Sequence, residues 1–227
     1  MDSGMNSVSP VHTPSTMKRI LLLSLALIFC FVLAGAAWYY SKLNTGKTHT
    51  AVTSIANKKL LTRLSNHGKP LLAYAKQHGY NTNTCFLLDM SIESGKNRFF
   101  IYDLKKDSVI DAGLVAHGRC NKDWLTGRQY GNEVGCGCTS LGKYKIGNPY
   151  KGKFGLAYKL HGLESTNSNA FKRFVVLHAH SCVPDAAVDP LPICQSDGCP
   201  TVSTPFLQKL ASVIDQSKQP VLLYTFD

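Results

Sequence analysis

An unbroken apolar run, ILLLSLALIFCFVLAGAAWYY from Ile20 to Tyr40, constrains this 227-residue chain more than any other feature. It carries no charge, and its length matches the ~20 apolar residues that cross a bilayer as one helix. Lys18-Arg19 precede it and Trp38, Tyr39 and Tyr40 close it, a pattern that predicts an N-terminus inside and an aromatic anchor at the far interface. The chain is therefore expected to divide into a disordered Ser-, Pro- and Thr-rich leader (1–19), a signal-anchor or signal peptide (20–40) and a body outside the cytoplasm. The run exceeds the core of about 7–15 residues usual for a cleaved signal, which favours a retained anchor. Ala34-Gly35-Ala36-Ala37 offers small residues for processing, so cleavage stays open as the alternative. No Cys directly follows Leu33-Ala34-Gly35, which argues against a lipid-anchored form, and Cys30 is explained as a small apolar residue of the span.

Export changes what the charge means. The whole chain carries a formal net charge of +11. Setting aside Lys18, Arg19 and Asp2 leaves 23 Lys and Arg against 13 Asp and Glu, a balance of +10. Outside the cytoplasm such a balance suits a polyanionic envelope better than nucleic acid. With 44% hydrophobic and 17% charged residues, the composition is that of a globular protein and excludes wholesale disorder.

Residues 41–50 are polar and are expected to form a tether, and 51–80 a helical element. Within it, Leu60, Leu61 and Leu64 form one cluster at helical spacing and Leu71, Leu72 and Ala75 another. His67-Gly68-Lys69-Pro70 between them is expected to be a turn, giving two helices. From Cys85 the period changes to short apolar runs separated by Gly, Asn, Asp and Ser. These are Phe86–Leu88, Arg98–Leu104, Val109–Ala116, Lys143–Ile146, Ala157–Leu160, Phe174–Leu177 and Val221–Phe226, the pattern of a mostly antiparallel β domain. One helix interrupts it, with Thr204 as the expected cap, Pro205 in the first turn and Phe206, Leu207, Leu210, Val213 and Ile214 as its apolar stripe. The fold class expected is mainly β (α+β), with a two-helix N-terminal element and one helix in the C-terminal half.

The chemistry concentrates in Arg173-Phe-Val-Val-Leu-His178-Ala-His180-Ser-Cys182 and, beyond a Pro-rich loop, Gln195-Ser196-Asp197-Gly198-Cys199-Pro200. A strand delivers one or two His to its end, and a tight turn presents a thiol before a helix. A free thiol, with a pKa of about 8.5, is mostly protonated at neutral pH, so a nucleophilic Cys needs a partner that makes thiolate. An imidazole in reach takes that proton and later returns it to an amine. Gly198 removes bulk where a substrate carbonyl approaches, and backbone N–H groups of that turn are placed to hold an oxyanion. On spacing alone, a Cys in an exported protein reads first as a disulfide partner, and the His residues as ordinary strand residues.

This stretch resembles the L,D-transpeptidase catalytic family of bacterial cell-wall enzymes, whose signature is a His at a strand end, a spacer, then Ser/Thr-His-Gly-Cys. Arg98-Phe-Phe-Ile-Tyr-Asp-Leu, Ser140-Leu-Gly-Lys-Tyr-Lys-Ile-Gly and Tyr158-Lys-Leu-His161-Gly-Leu resemble further segments of one branch, so the similarity spans Thr82 to Phe226. The resemblance implies a β-sandwich or barrel for a catalytic domain over 82–227. It matches Cys199 to the nucleophile, Ser196 to the Ser/Thr and Gly198 to the Gly. Seventeen residues separate His178 from Ser196 and fifteen separate His180 from it, and both fit the signature. Val176-Leu177-His178-Ala179 matches the family's pattern better, so His178 is the preferred base and His180 the runner-up. The family's use of the carbonyl after its His to orient the ring makes the Ala179 C=O the third member. Ser196, His161 and Asp197 are the candidate substrate contacts. Asp197 stands where the family commonly has His, and Pro200-Thr201 replace its usual continuation. Asp197 is expected to face away from the thiol or to bind an amine, since a carboxylate aimed at it would oppose ionisation.

As the resemblance implies, Cys199 would attack the amide after the third residue of a peptidoglycan stem tetrapeptide, release D-Ala and hold a thioester. An amine acceptor then gives transpeptidation, and water gives L,D-carboxypeptidase activity. No cofactor or metal is expected; the partners are stem peptides and, through 20–40, the inner membrane, with no nucleic acid. The alternatives are a wall-binding module without turnover and a cysteine peptidase or amidase of another bond. A Zn site from His178, His180 and Cys182 with Cys136 and Cys138 lacks a regular Cys-x-x-Cys pair. His117 and His161 are each readable as structural. Lys143, Lys145, Lys151, Lys153 and Lys159 read as the solvated face of a hairpin or as a basic rim. Seven Cys remain outside the span, so six are expected to pair and leave Cys199 free, with Cys182–Cys194 one pairing that would stiffen the loop between base and nucleophile.

Overall fold

The computed structural model describes residues 15–227, with side chains at 20–39 and from 57 onward. Of the disordered leader expected over residues 1–19, residues 1–14 lie outside the described residues, and 15–19 are helical. The chain divides into two compact units, residues 1–58 and 59–227. In the first, Ile20–Tyr39 is a helical stretch long and apolar enough to cross a membrane, with its side chains exposed rather than packed on protein.

Helix α1 is assigned over Ser15–His78. Within the second unit its segment from Lys59 onward buries Leu64, Leu71 and Ala75, spaced seven and four apart and so on one helix face. The turn expected at His67–Pro70 does not form, and the two helical stretches run on as one. Pro70 forfeits the bond its N–H would make to the Asn66 carbonyl. Burial of Leu64 and Leu71 on either side offsets that loss. Gly68 serves contact instead of a turn: a Cβ there would sit 2.8 Å from the Tyr102 ring. His67 stacks on Phe226 with centroids 3.7 Å apart.

Eight strands form one mixed sheet: β1 Thr84–Asp89, β2 Phe99–Asp103, β3 Ser108–Gly113, β4 Gly142–Gly152, β5 Gly155–Gly162, β6 Val176–Ala179, β7 Thr201–Val202 and β8 Leu222–Phe226. Their order is β3-β2-β1-β8-β4-β5-β6-β7, antiparallel except where β8 joins β1 and β7 joins β6. Period-2 alternation gives the sheet two buried faces. Cys85, Leu87, Phe100, Tyr102 and Leu222 pack with the α1 residues. Phe86, Leu88, Phe99, Ile101 and Leu223 pack on the other side with helix α2, Thr204–Asp215. The expected stripe of α2 is the buried one, but its cap is Ser203, not Thr204: the Ser203 hydroxyl accepts from the Phe206 N–H at 3.4 Å. Strand β7 has two residues, too few for any alternation to announce it. Its register, His178 opposite Thr201 and Ala179 opposite Val202, brings the turn before α2 alongside the end of β6.

Candidate active site

The pairing of β6 and β7 places Cys199 and His178 on one cavity of about 410 Å³, which His180, Thr201, Phe154 and Trp124 also line. His178 is 6% exposed. Its Nδ1 lies 3.0 Å from the Ala179 carbonyl, and a carbonyl only accepts, so Nδ1 carries the ring proton. Its Nε2 is then an acceptor, 3.0 Å from the Thr201 hydroxyl. Burial pushes the His178 pKa down, the Ala179 bond acting the other way. Phe154, at the tip of the β4–β5 hairpin, stacks on the His178 ring at 4.9 Å and meets His180 edge-on at 5.4 Å. His180 instead receives the Cys182 N–H on Nδ1 at 3.1 Å.

Cys199 ends a turn built by Ser196. The Ser196 hydroxyl donates to the Cys199 carbonyl at 2.7 Å and accepts from the Gly198 N–H at 3.2 Å. Gly198 has φ of 109°, a region open to glycine. A Cβ there would also lie 2.6 Å from the Cys138 carbonyl and 3.1 Å from an Arg173 nitrogen. The glycine is thus demanded by the wall behind the turn, a stronger reason than substrate access.

The Cys199 thiol is turned toward the start of β6. Its Sγ accepts from the Val176 N–H at 3.5 Å and donates to the Phe174 carbonyl at 3.8 Å. Among the described residues no hydrogen bond joins it to His178 or His180, so the expected thiol–imidazole contact is not made here, although both groups line the same cavity. Burial pushes the thiol pKa up; the Val176 bond and the Arg173 charge pull it down, and Asp197 adds to the rise. A buried protonated thiol beside a neutral imidazole is what these opposed shifts favour.

Arg173, to which the sequence alone assigns no role, lies close enough to Cys199 for its charge to act on the thiol. Its guanidinium donates to Gly131 O and Ser140 Oγ, each at 2.9 Å, and to the Cys138 carbonyl. That network holds a cation against the Cys199 turn. The only sequence signal was a basic residue opening the strand that carries His178.

Asp197 is engaged outside the thiol's hydrogen bonds. Its side chain is 74% exposed and ion-paired to Arg119 Nε at 2.8 Å. Both residues line the cavity mouth. His161 is not brought to the cavity; it stacks on Phe171 at 5.0 Å, and burial with Lys145 and Lys159 lowers its pKa. His117 is buried, takes an Arg98 N–H on Nδ1 at 3.0 Å, and is pushed down to about 4 by burial, Arg98 and Arg128. Lys143 is tied into the fold by Glu164 and the Tyr74 and Tyr224 rings, which removes it from any free basic rim.

Cysteine pairing differs from the expected six. Two disulfides form, Cys120–Cys138 and Cys182–Cys194, while Cys85, Cys136 and Cys199 stay free beside Cys30. Cys85 is spent on packing within the sheet's α1-facing core, which six-fold pairing overlooked. The bridges take Cys138 and Cys182 out of the alternative Zn set, and among the described residues no group of three His, Cys, Asp or Glu is arranged to hold a metal.

The family model of the L,D-transpeptidase catalytic domain matches residues 54–226. The chain belongs to that family. No curated protein matches it. Solved structures similar to it include the helical cell shape determining protein Pgp2 from Campylobacter jejuni. Its match has 14% identity and a TM-score of 0.42, and covers 63% of this chain and 47% of that one. A point mutant of Pgp2 matches over the same shares with a TM-score of 0.43. The Ldtfm–avibactam carbamoyl enzyme matches at 12% identity with a TM-score of 0.39, covering 64% of this chain and 49% of its own. The chain thus matches about half the length of each of these. For an L,D-transpeptidase domain, Cys199, His178 and the Ala179 carbonyl are the candidate catalytic set, with His180 in the same cavity but engaged by Cys182.

Proposed function

We propose that the protein is a peptidoglycan L,D-transpeptidase, with L,D-carboxypeptidase activity when water is the acceptor, working through a Cys199 thioester. The observation that carries this reading is the shared cavity of Cys199 and His178, with the His178 Nδ1–H held by the Ala179 carbonyl. That bond fixes the tautomer that leaves Nε2 able to take a proton, the condition for a general base.

The Cys199 proton passes to His178 Nε2, and the thiolate attacks the amide carbonyl after the third residue of a stem tetrapeptide. His178 returns the proton to the departing D-Ala amine as the C–N bond breaks, leaving the thioester. An acceptor amine gives its proton to the same nitrogen as it attacks, the C–S bond breaks as the new amide forms, and His178 passes that proton to the departing Cys199 thiolate. Arg173 offsets part of the burial cost of the thiolate, and the turn at Gly198 and Cys199 offers backbone N–H groups to the oxyanion. Ile20–Tyr39 anchors this domain in the inner membrane with the cavity on the envelope side, and the basic surface suits stem-peptide carboxylates and not nucleic acid.

A specific observation favours a second reading, a wall-binding module without turnover: the thiol is bonded to Val176 and Phe174 and not to His178. Intact-mass analysis after mixing with stem tetrapeptide separates the two. The expected result is an adduct on Cys199 equal to the tripeptide acyl group with release of one D-Ala, and its loss in Cys199→Ala. Binding without an adduct, or cleavage at another bond, overturns the proposal in favour of the module or of a different peptidase.

A further inference from the structure

The atom that must take the thiol proton already has a partner. His178 Nε2 lies 3.0 Å from Thr201 Oγ, and with the ring proton on Nδ1 the only hydrogen in that contact belongs to the hydroxyl. Thr201 Oγ is also 3.3 Å from the Cys199 carbonyl, a second acceptor. A hydroxyl has one proton, so it serves one of these acceptors at a time. Thr201 is 3% exposed and sits opposite His178 in the β6–β7 register, so neither group is free to drift away. The Cys199 thiol, meanwhile, spends its own proton on the Phe174 carbonyl.

We propose that Thr201 is a positioning residue whose hydroxyl gates proton transfer between Cys199 and His178. With its O–H on Nε2, the base is capped and the thiol stays protonated against β6. When the O–H turns to the Cys199 carbonyl, Nε2 is open to the thiol. The thiol leaves the Phe174 carbonyl for Nε2, the S–H bond breaks and an N–H bond forms, giving thiolate and imidazolium. A residue without a hydroxyl at this position leaves the base permanently uncapped. The inference rests on the assignment of Cys199 and His178 in the function proposed above, not on the identity of the substrate.

The test is alkylation of Cys199 by iodoacetamide in the full-length protein in detergent, read by mass spectrometry of the Cys199 peptide from pH 5.5 to 9.5. Thr201→Val is expected to move the midpoint about one pH unit lower, which is about tenfold faster alkylation at a pH below both midpoints. Thr201→Ser should keep the wild-type profile, and the shift should vanish when His178→Gln is added. Thr201→Ala replaces the Val variant if that one fails to fold cooperatively. A Val or Ala profile that superimposes on wild type overturns the proposal, and so does a shift of equal size without His178. Alkylation needs no peptidoglycan: a Thr201 effect without acylation by stem tetrapeptide strikes only the substrate reading, and acylation without a Thr201 effect strikes only this one.

Discussion

Burial moves Cys199 and His178 in opposite directions, the thiol up and the imidazole down, and both shifts favour the neutral pair. The enzyme proposed here therefore starts from thiol and imidazole, not from a preformed ion pair. Thiol plus imidazole and thiolate plus imidazolium carry the same number of protons, so transfer within the pair does not depend on pH once His178 is neutral. The rate of Cys199 acylation by stem tetrapeptide should accordingly rise as His178 loses its proton, below the ordinary 6.5, and then stay level through neutral pH. Stopped reactions followed by intact mass measure this; a rate that goes on climbing about tenfold per unit to pH 9 would mean that Cys199 loses its proton to solvent and not to His178. Asp197 adds to the rise of the thiol pKa, from a place at the exposed mouth of the cavity where Arg119 pairs with it.

At the scale of elements, the site depends on a two-residue strand and on the loop that precedes it. Strand β7 fixes the Cys199 turn to β6 through the pairs His178–Thr201 and Ala179–Val202. Between them the chain leaves β6, and Cys182–Cys194 closes that excursion over a sequence separation of 12. Both of these cysteines line the cavity. In chain-entropy terms a loop of this size contributes about 3 kcal/mol by restricting the unfolded chain. The double change Cys182→Ser, Cys194→Ser should lower unfolding free energy by about 2–3 kcal/mol and slow acylation while the Cys199 thiol remains titratable. Urea unfolding and the mass assay read the two effects separately. Unchanged stability would mean that the loop is already ordered by Val183 and Ile193, which pack in a small cluster of their own with Leu114 and Ala116.

For the molecule as a whole, the sheet is buried on both faces, and its interior holds titratable groups that favour their neutral forms. His117 is the clearest, held near 4 by burial and by Arg98 and Arg128, against an ordinary 6.5. Because the folded pKa is the lower one, the unfolded chain binds the proton first. Stability is complete above pH 6.5 and is lost as pH falls from 6.5 toward 4, below which this group contributes no further change. The difference corresponds to about 3 kcal/mol as an upper bound. His178, shifted the same way, adds to the loss. Chemical unfolding at pH 7 and pH 4.5 should show the drop, and His117→Gln should flatten it. A drop of equal size without His117 would transfer the effect to other groups.

Local pattern was enough for much of this protein. The charge-free run from Ile20, the period-2 strands and the apolar stripe of α2 are statements about nearest neighbours along the chain, and Gly198-Cys199 behind a His-bearing strand carried the family resemblance. Four residues needed the tertiary structure because their places depend on groups distant in sequence. Pro70 stays inside a helix since the core on that face rewards continuity more than one hydrogen bond costs. Cys85 is free since a buried strand position consumes it as an apolar side chain. Thr201 and Arg173 meet the site through strand pairing and through carbonyls of a loop 35 and 42 positions away in the chain, contacts that no periodicity encodes. Sequence order fixes which atoms exist and which stretches can be helix or strand; which of those atoms share a proton is decided only when the sheet closes around them.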